Sequence, residues 1–304
     1  MYIVTMLYRR KKSYWFLIAA SVFLTLVVVS LVLISVNSKS LYDSSNRLFC
    51  GEKYFYFNHQ LILRDPLIKD NPYNKDLFRR SDGRLYYDEA NVQTWFGIDV
   101  SEFQDWIRWS RVKEDGVEFV FARIGYRGYS GGIMHKDSTF EYNYSEIHRN
   151  GIPMGIYFFS QAVNDEEAVE EAEYVLSMLG GRALELPIVF DWEYVSESAR
   201  TGGITPDALS SACNAFCDRI EEAGYSSMVY TNLYGAYSKY NFSKISGRDI
   251  WLAEYDGSPT FRYHFEVLQY TSSGSIHGID GSVDLNMMFI DPRSYLTRTG
   301  SVPS

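Results

Sequence analysis

Asp191 and Glu193, in the short run LPIVFDWE (186–193), have the residue types and spacing in this chain best suited to chemistry. On a strand, residues two apart leave the same face, so both carboxyls project together while Trp192 takes the opposite face. Carboxyls held that close repel when both ionise, which raises one pKa and keeps a proton on hand near neutrality. A general acid needs such a proton. Other polar residues interrupt apolar runs in the same way: Asp99 in FGIDV (96–100), Arg123 in EFVFARI (118–124) and Asp284 in SVDLN (282–286). Alone, each Asp could be a helix cap, a turn residue or a salt-bridge partner for Arg123. Four acids placed alike, two of them in DWE, point to a shared site.

The runs that carry these residues recur from Phe96 onward. Besides the four above there are PMGIYFF (153–159), SMVYT (227–231), IWLAE (250–254) and FEVLQY (265–270). Short continuous apolar runs suit strands buried on both faces, as in a parallel sheet covered by helices. Amphipathic stretches of helical length separate the early runs. Among them are Asp165–Leu179 and Thr205–Ala223, the second opening on Thr-Pro and ending before Gly224. The last three runs begin only about sixteen residues apart, too close for crossover units of a dozen or more residues plus two strands. The spacing therefore predicts an eight-stranded α/β barrel, helix-bearing in its first five units and reduced in its last three. The active site of such a barrel lies at the C-terminal ends of its strands. Tyr126, Tyr157, Tyr230 and Trp251 fall near that inferred mouth and could offer it flat aromatic faces. Trp192 and Phe158 read as core. The tract GYRGYSGG (125–132) lacks the Lys-Ser/Thr of a phosphate loop and reads as a loop edging the cleft.

The first residues limit where this barrel works. Tyr14–Val36 carries no charge, and at ~1.5 Å per residue a helix of that length crosses the ~30 Å hydrocarbon core. Arg9, Arg10, Lys11 and Lys12 precede it and only Lys39 follows closely. The positive-inside bias then predicts a cytoplasmic N-terminus and an extracellular remainder, anchored through a single transmembrane helix. No small-residue cleavage site follows, so the run reads as an anchor rather than a cleaved signal. The expected order is a cytoplasmic N-terminus (1–13), the transmembrane helix (14–36), a stalk or small extracellular element (37–94) and a catalytic domain (95–304). Within the stalk, YFYF and LYYD mark possible folded pieces. The net charge is −9, and the exported part is more acidic still, which argues against nucleic acid or anionic lipid as a partner. Cys213 and Cys217, four apart on a predicted helix, read as buried thiols, with Cys50 apart in the stalk. The five histidines show no metal-ligand spacing, and no cofactor is implied.

The stretches FGIDVSEFQ with Trp106, VEFVFARIGYRGY, NGIPMGIYFFSQA, LPIVFDWE, VYTN, IWLAEY and VLQYTSSGSIHGIDGSVDLN resemble the family 25 glycoside hydrolases, lysozymes (N-acetylmuramidases) of phage endolysins and bacterial autolysins. The resemblance runs in family order from about Phe96 to Phe289. It implies an irregular TIM-like (β/α)5(β)3 barrel and peptidoglycan glycan strands as substrate. It also implies Glu193 as general acid/base, Asp191 as the stabiliser of positive charge on the sugar or its acetamido group, and Asp99 and Asp284 as flanking acids. Tyr126 and Tyr157 stand at motif positions. Arg123, Tyr230 and Trp251 complete the expected substrate-binding set. Two rivals remain on sequence grounds, a metal-dependent hydrolase using the same acids and a glycan-binding pseudoenzyme. A tethered hydrolase reaches only nearby wall, so local remodelling is expected, with any partner in the envelope machinery unnamed.

Overall fold

The computed structural model describes residues 53–255 and 257–295. Tyr14–Val36, Cys50 and the basic cluster before the apolar run lie outside the described residues. Among the described residues no helix is long and apolar enough to cross a membrane. The chain divides into two compact units, Met1–Pro66 and Leu67–Ser304. In the first, β1 (Tyr54–Phe57) and β2 (Gln60–Leu63) form an antiparallel hairpin. Its two-residue turn, Asn58-His59, has both φ angles positive, as the right-handed twist of a tight hairpin requires.

The second unit opens with another hairpin, β3 (Phe78–Ser81) and β4 (Arg84–Tyr87), closed by Asp82-Gly83, again with both φ angles positive. A closed barrel follows. Its strands are β5 (Trp95–Val100), β6 (Phe119–Arg127), β8 (Met154–Ser160), β9 (Ile188–Trp192), β10 (Ser227–Asn232), β11 (Ile250–Ala253), β12 (Val267–Gly274) and β13 (Val283–Met288). All eight apolar runs become barrel strands. Neighbours from β5 through β12 pair in parallel, whereas β13 is antiparallel to both β12 and β5 and closes the ring. β7 (Met134–Lys136) adds a short antiparallel partner at the end of β6.

Helices α1 (Trp109–Glu114), α2 (Phe140–Arg149), α3 (Asp165–Leu179) and α4 (Pro206–Glu222) follow the first four barrel strands. A π turn at Gly235–Lys239 and the short α5 (Phe242–Ile245) serve the fifth. Among the described residues no helix separates β11, β12 and β13. Local chemistry sets the helix ends. Asn164 caps α3 by accepting from the Glu167 amide (2.9 Å), three acids fill its first turn, and Gly180 ends it at φ 59°. Thr205 caps α4 ahead of Pro206. Cys213 and Cys217 face inward on α4, buried and not joined in a disulfide.

Strand alternation fills the barrel. Phe119 and Phe121 of β6, Val189 of β9, Met228 of β10, Trp251 of β11, Val267 of β12 and Met288 of β13 form the interior cluster. Burying each of the larger apolar side chains contributes roughly 1.5–3 kcal/mol. Two glycines make the room: a Cβ on Gly97 would stand 2.4 Å from the Phe119 ring, and one on Gly155 2.5 Å from that of Phe121. The floor of the barrel is thus apolar. The expected glycine-rich loop is partly strand. β6 runs through Gly125 to Arg127, and Gly125 sits where the β6–β8 register shifts, its missing Cβ leaving space for the His135 carbonyl.

Candidate active site

A cavity of about 760 Å³ opens at the polar end of the barrel. Every residue expected at the site lines it: Asp99, Arg123, Tyr126, Tyr157, Asp191, Glu193, Tyr230, Trp251 and Asp284. Seven strands deliver their C-terminal ends there. Asp284 arrives differently, because β13 runs antiparallel and its N-terminal end faces the mouth, setting Asp284 directly opposite Asp99.

Asp191 is buried, and its Oδ1 makes no hydrogen bond among the described residues. Burial, then the charges of Glu193 and Asp99, push its carboxyl well above the ordinary carboxylate range, against the pull of Arg123. Asp99 is raised by burial and by Asp284, though its Oδ2 accepts from Asn286 Nδ2 (2.7 Å) and Gln269 Nε2 (2.8 Å). Burial also pushes Asp284 up to about 6. Glu193 is half-buried, and its pKa is raised by burial and then by Asp284. Burial and mutual repulsion thus raise the pKa of all four acids, which favours their neutral forms.

The other expected residues take distinct places. Arg123 faces the cavity, but its guanidinium is already engaged, with Nε on Asp137 (2.8 Å) and Nη2 on Glu102 (2.8 Å), which also lines the cavity. It also lies 5.0 Å from the ring centroids of Phe103 and Tyr126. Tyr126 stacks on His135. Tyr157 is half-buried, and burial holds its phenol well above its usual range, so it remains a neutral donor. Tyr230 is buried and donates to Gln269 Oε1 (2.9 Å). Trp251 is buried against Phe121 and donates to Asn286 Oδ1 (2.8 Å). Among the described residues, no three His, Cys, Asp or Glu side chains are arranged to hold a metal ion.

A family model described as glycosyl hydrolases family 25 matches residues 98–279. The chain belongs to that family. It is 31% identical over 192 residues to the autolytic lysozyme of Clostridium acetobutylicum, covering 62% of this chain and 54% of that protein. It is 28% identical over 216 residues to lysozyme M1 of Streptomyces globisporus, covering 66% and 68%. In structure it is similar to the modular autolysin LytC from Streptococcus pneumoniae, solved with a synthetic peptidoglycan ligand. That likeness has a TM-score of 0.60 at 25% identity, over 77% of this chain and 56% of that one. The chain thus spans about half the length of the clostridial relative.

Several residues of this family 25 site escape a reading for acids and aromatics. Gln269 and Asn286 hold Asp99, and Tyr255 donates to Gln269 Oε1 (2.8 Å). Both amides interrupt apolar runs at inward positions, the same signal that marks Asp99. Asp137 and Glu102 gave no such signal, since neither interrupts an apolar run: Asp137 lies in a loop and Glu102 opens a short 3-10 turn (Glu102–Gln104). Behind β9, the buried Gln161 donates from Nε2 to the Glu193 carbonyl (3.1 Å) and accepts from Thr201 (2.8 Å). Its amide N–H in turn reaches the buried Glu171 of α3, which also takes Ser160 (2.6 Å) and Arg127 (2.7 Å). The strand end that carries the acid pair is therefore fixed by hydrogen bonds on its outer side.

Proposed function

We propose that this chain is a peptidoglycan muramidase that hydrolyses the β-1,4 bond between N-acetylmuramic acid and N-acetylglucosamine. Glu193 acts as general acid and then base. Asp191 stabilises the positive charge of the oxocarbenium or oxazolinium species, and Asp99 and Asp284 flank them. The carrying observation is the pair at the end of β9: a half-buried Glu193 with a raised pKa, two residues from a buried Asp191 whose Oδ1 has no hydrogen-bond partner among the described residues. The raised pKa values record how costly negative charge is at this site. A sugar ring that becomes cationic relieves that cost, so the interaction strengthens in the transition state. Glu193 gives its proton to the leaving oxygen and, as carboxylate, takes one from the attacking water. The lysozyme relatives and the ligand seen in LytC support peptidoglycan as the substrate class.

The test is mass spectrometry of purified cell wall digested with the full chain. Products with reducing-end muramic acid are expected. Reducing-end glucosamine, or intact glycan with cleaved peptides, would overturn the reading. Glu193→Gln should lower the rate by about 10²–10⁴-fold while the protein stays folded.

The setting completes the proposal. Tyr14–Val36 serves as a single-pass anchor with the N-terminus in the cytoplasm and the barrel outside, and the enzyme remodels wall locally within reach of its tether. Support comes from the uncharged run and the basic cluster Arg9–Lys12 before it.

A further inference from the structure

The family match begins at residue 98, yet the residues from Leu67 onward belong to the same compact unit as the barrel. They cover the strands that have no crossover helix. On β12, Gln269 points inward to Asp99, so alternation turns Leu268 and Tyr270 outward, and both are nevertheless fully buried. Tyr73 stacks on Phe289 at 3.8 Å and donates to the Phe265 carbonyl (3.0 Å). Tyr87 meets Phe289 edge-on, and the Arg84 guanidinium lies 4.2 Å from the Phe96 ring centroid. The hairpin β3–β4 and its lead-in thus take the place of the missing helices.

One side chain of this cover, Arg80, reaches the backbone of a residue that lines the mouth, Tyr255. Arg80 Nη2 donates to the carbonyls of Tyr255 (2.9 Å) and Tyr270 (3.1 Å), with its guanidinium 5.6 Å from the Tyr270 ring centroid. It therefore ties the segment after β11 to β12. Tyr255 donates to Gln269, and Gln269 donates to Asp99 Oδ2. Ser258 adds a second tie by donating to the Lys75 carbonyl (2.7 Å).

We propose that this pre-barrel hairpin is a working part of the active site, with Arg80 a positioning residue that fixes Tyr255 and, through Gln269, orients Asp99. The proposal rests on Asp99 belonging to the acid set of the muramidase reading. Small displacements far from the reacting atoms can cost large factors in rate, and the chain Arg80–Tyr255–Gln269–Asp99 is a route for one.

The test uses the full chain carrying Arg80→Met, Tyr255→Phe or both. Arg80→Met keeps the stem and removes the donors, and should lower kcat on wall glycan by about tenfold. Arg80→Lys, which keeps charge and donors, should recover part of it. The double variant should be no worse than about twofold below the poorer single, because both changes break one path. Unchanged kcat in Arg80→Met, or losses that multiply in the double variant, would overturn the proposal. Hydrogen exchange read by mass spectrometry tests it without turnover. Arg80→Met should speed exchange in peptides covering residues 251–255 and 267–271 and leave β6 and β8 unchanged. Unaltered exchange in those peptides sinks the positioning role even if wall is cleaved. Faster exchange in a chain that cleaves no wall keeps the role and removes the muramidase reading.

Discussion

Asp284 stands opposite Asp99 across the β13–β5 pair, and its charge is the neighbour that most raises Glu193 after burial. Replacing it with Asn removes that charge, so the ionised form of Glu193 becomes easier to reach and its pKa falls. The alkaline limb of the pH–rate profile, where the proton donor is lost, should therefore move to lower pH in Asp284→Asn. A limb that stays put or moves upward would contradict the coupling. Stability follows the same charge. The folded pKa of Asp284, about 6, lies above its ordinary 3.8, so the folded state holds more protons between those values. Whatever stability this carboxyl supplies is thus fully present below 3.8 and is lost as pH rises through about 6. Asp284→Asn should melt higher than the parent at pH 7, with the gain disappearing below about pH 4. At this scale the acids were legible because each interrupts an apolar run. Asp137 and Glu102, which engage Arg123, were not, because tertiary folding brings residues from outside the strands to Arg123.

At the scale of elements, the apolar runs named all eight barrel strands, and the spacing of the last three foretold the loss of helices. The direction of β13 did not follow from its composition. A run of that length pairs either way, and its direction is decided by the connection that leads into it and the neighbours it meets. The glycines within the runs likewise carry packing information that periodicity cannot show. Gly155 is inward on β8, and a Cβ there would meet the Phe121 ring at 2.5 Å and the Pro187 carbonyl at 2.8 Å. Neither neighbour is a flexible chain end, so Gly155→Ala overpacks the barrel floor. It should destabilise by about 1–3 kcal/mol, seen as a lowered denaturation midpoint at unchanged slope. A midpoint equal to the parent's would mean that Phe121 has room to shift.

For the whole molecule, the proposed muramidase would act where the proposed anchor lets it act. The charge distribution argues for an outward position. Four consecutive basic residues, Arg9–Lys12, precede an uncharged run, and the chain nevertheless carries a net −9, so the part beyond that run is distinctly acidic. Retaining the basic cluster in the cytoplasm and passing the remainder across is the orientation that positive-inside bias favours. A helix of about 20 apolar residues inserts in a way that peripheral attachment cannot match. The full chain expressed in bacteria should accordingly sediment with membranes and stay there through high salt and alkaline carbonate. Protease added to intact protoplasts should digest the barrel while an epitope ahead of Arg9 survives. A barrel recovered in the soluble fraction, or one protected in intact protoplasts, would remove both the anchor and the local mode of action built on it. A free enzyme would diffuse through the wall and lyse it broadly, whereas a tethered one can open only the layer its linking residues reach.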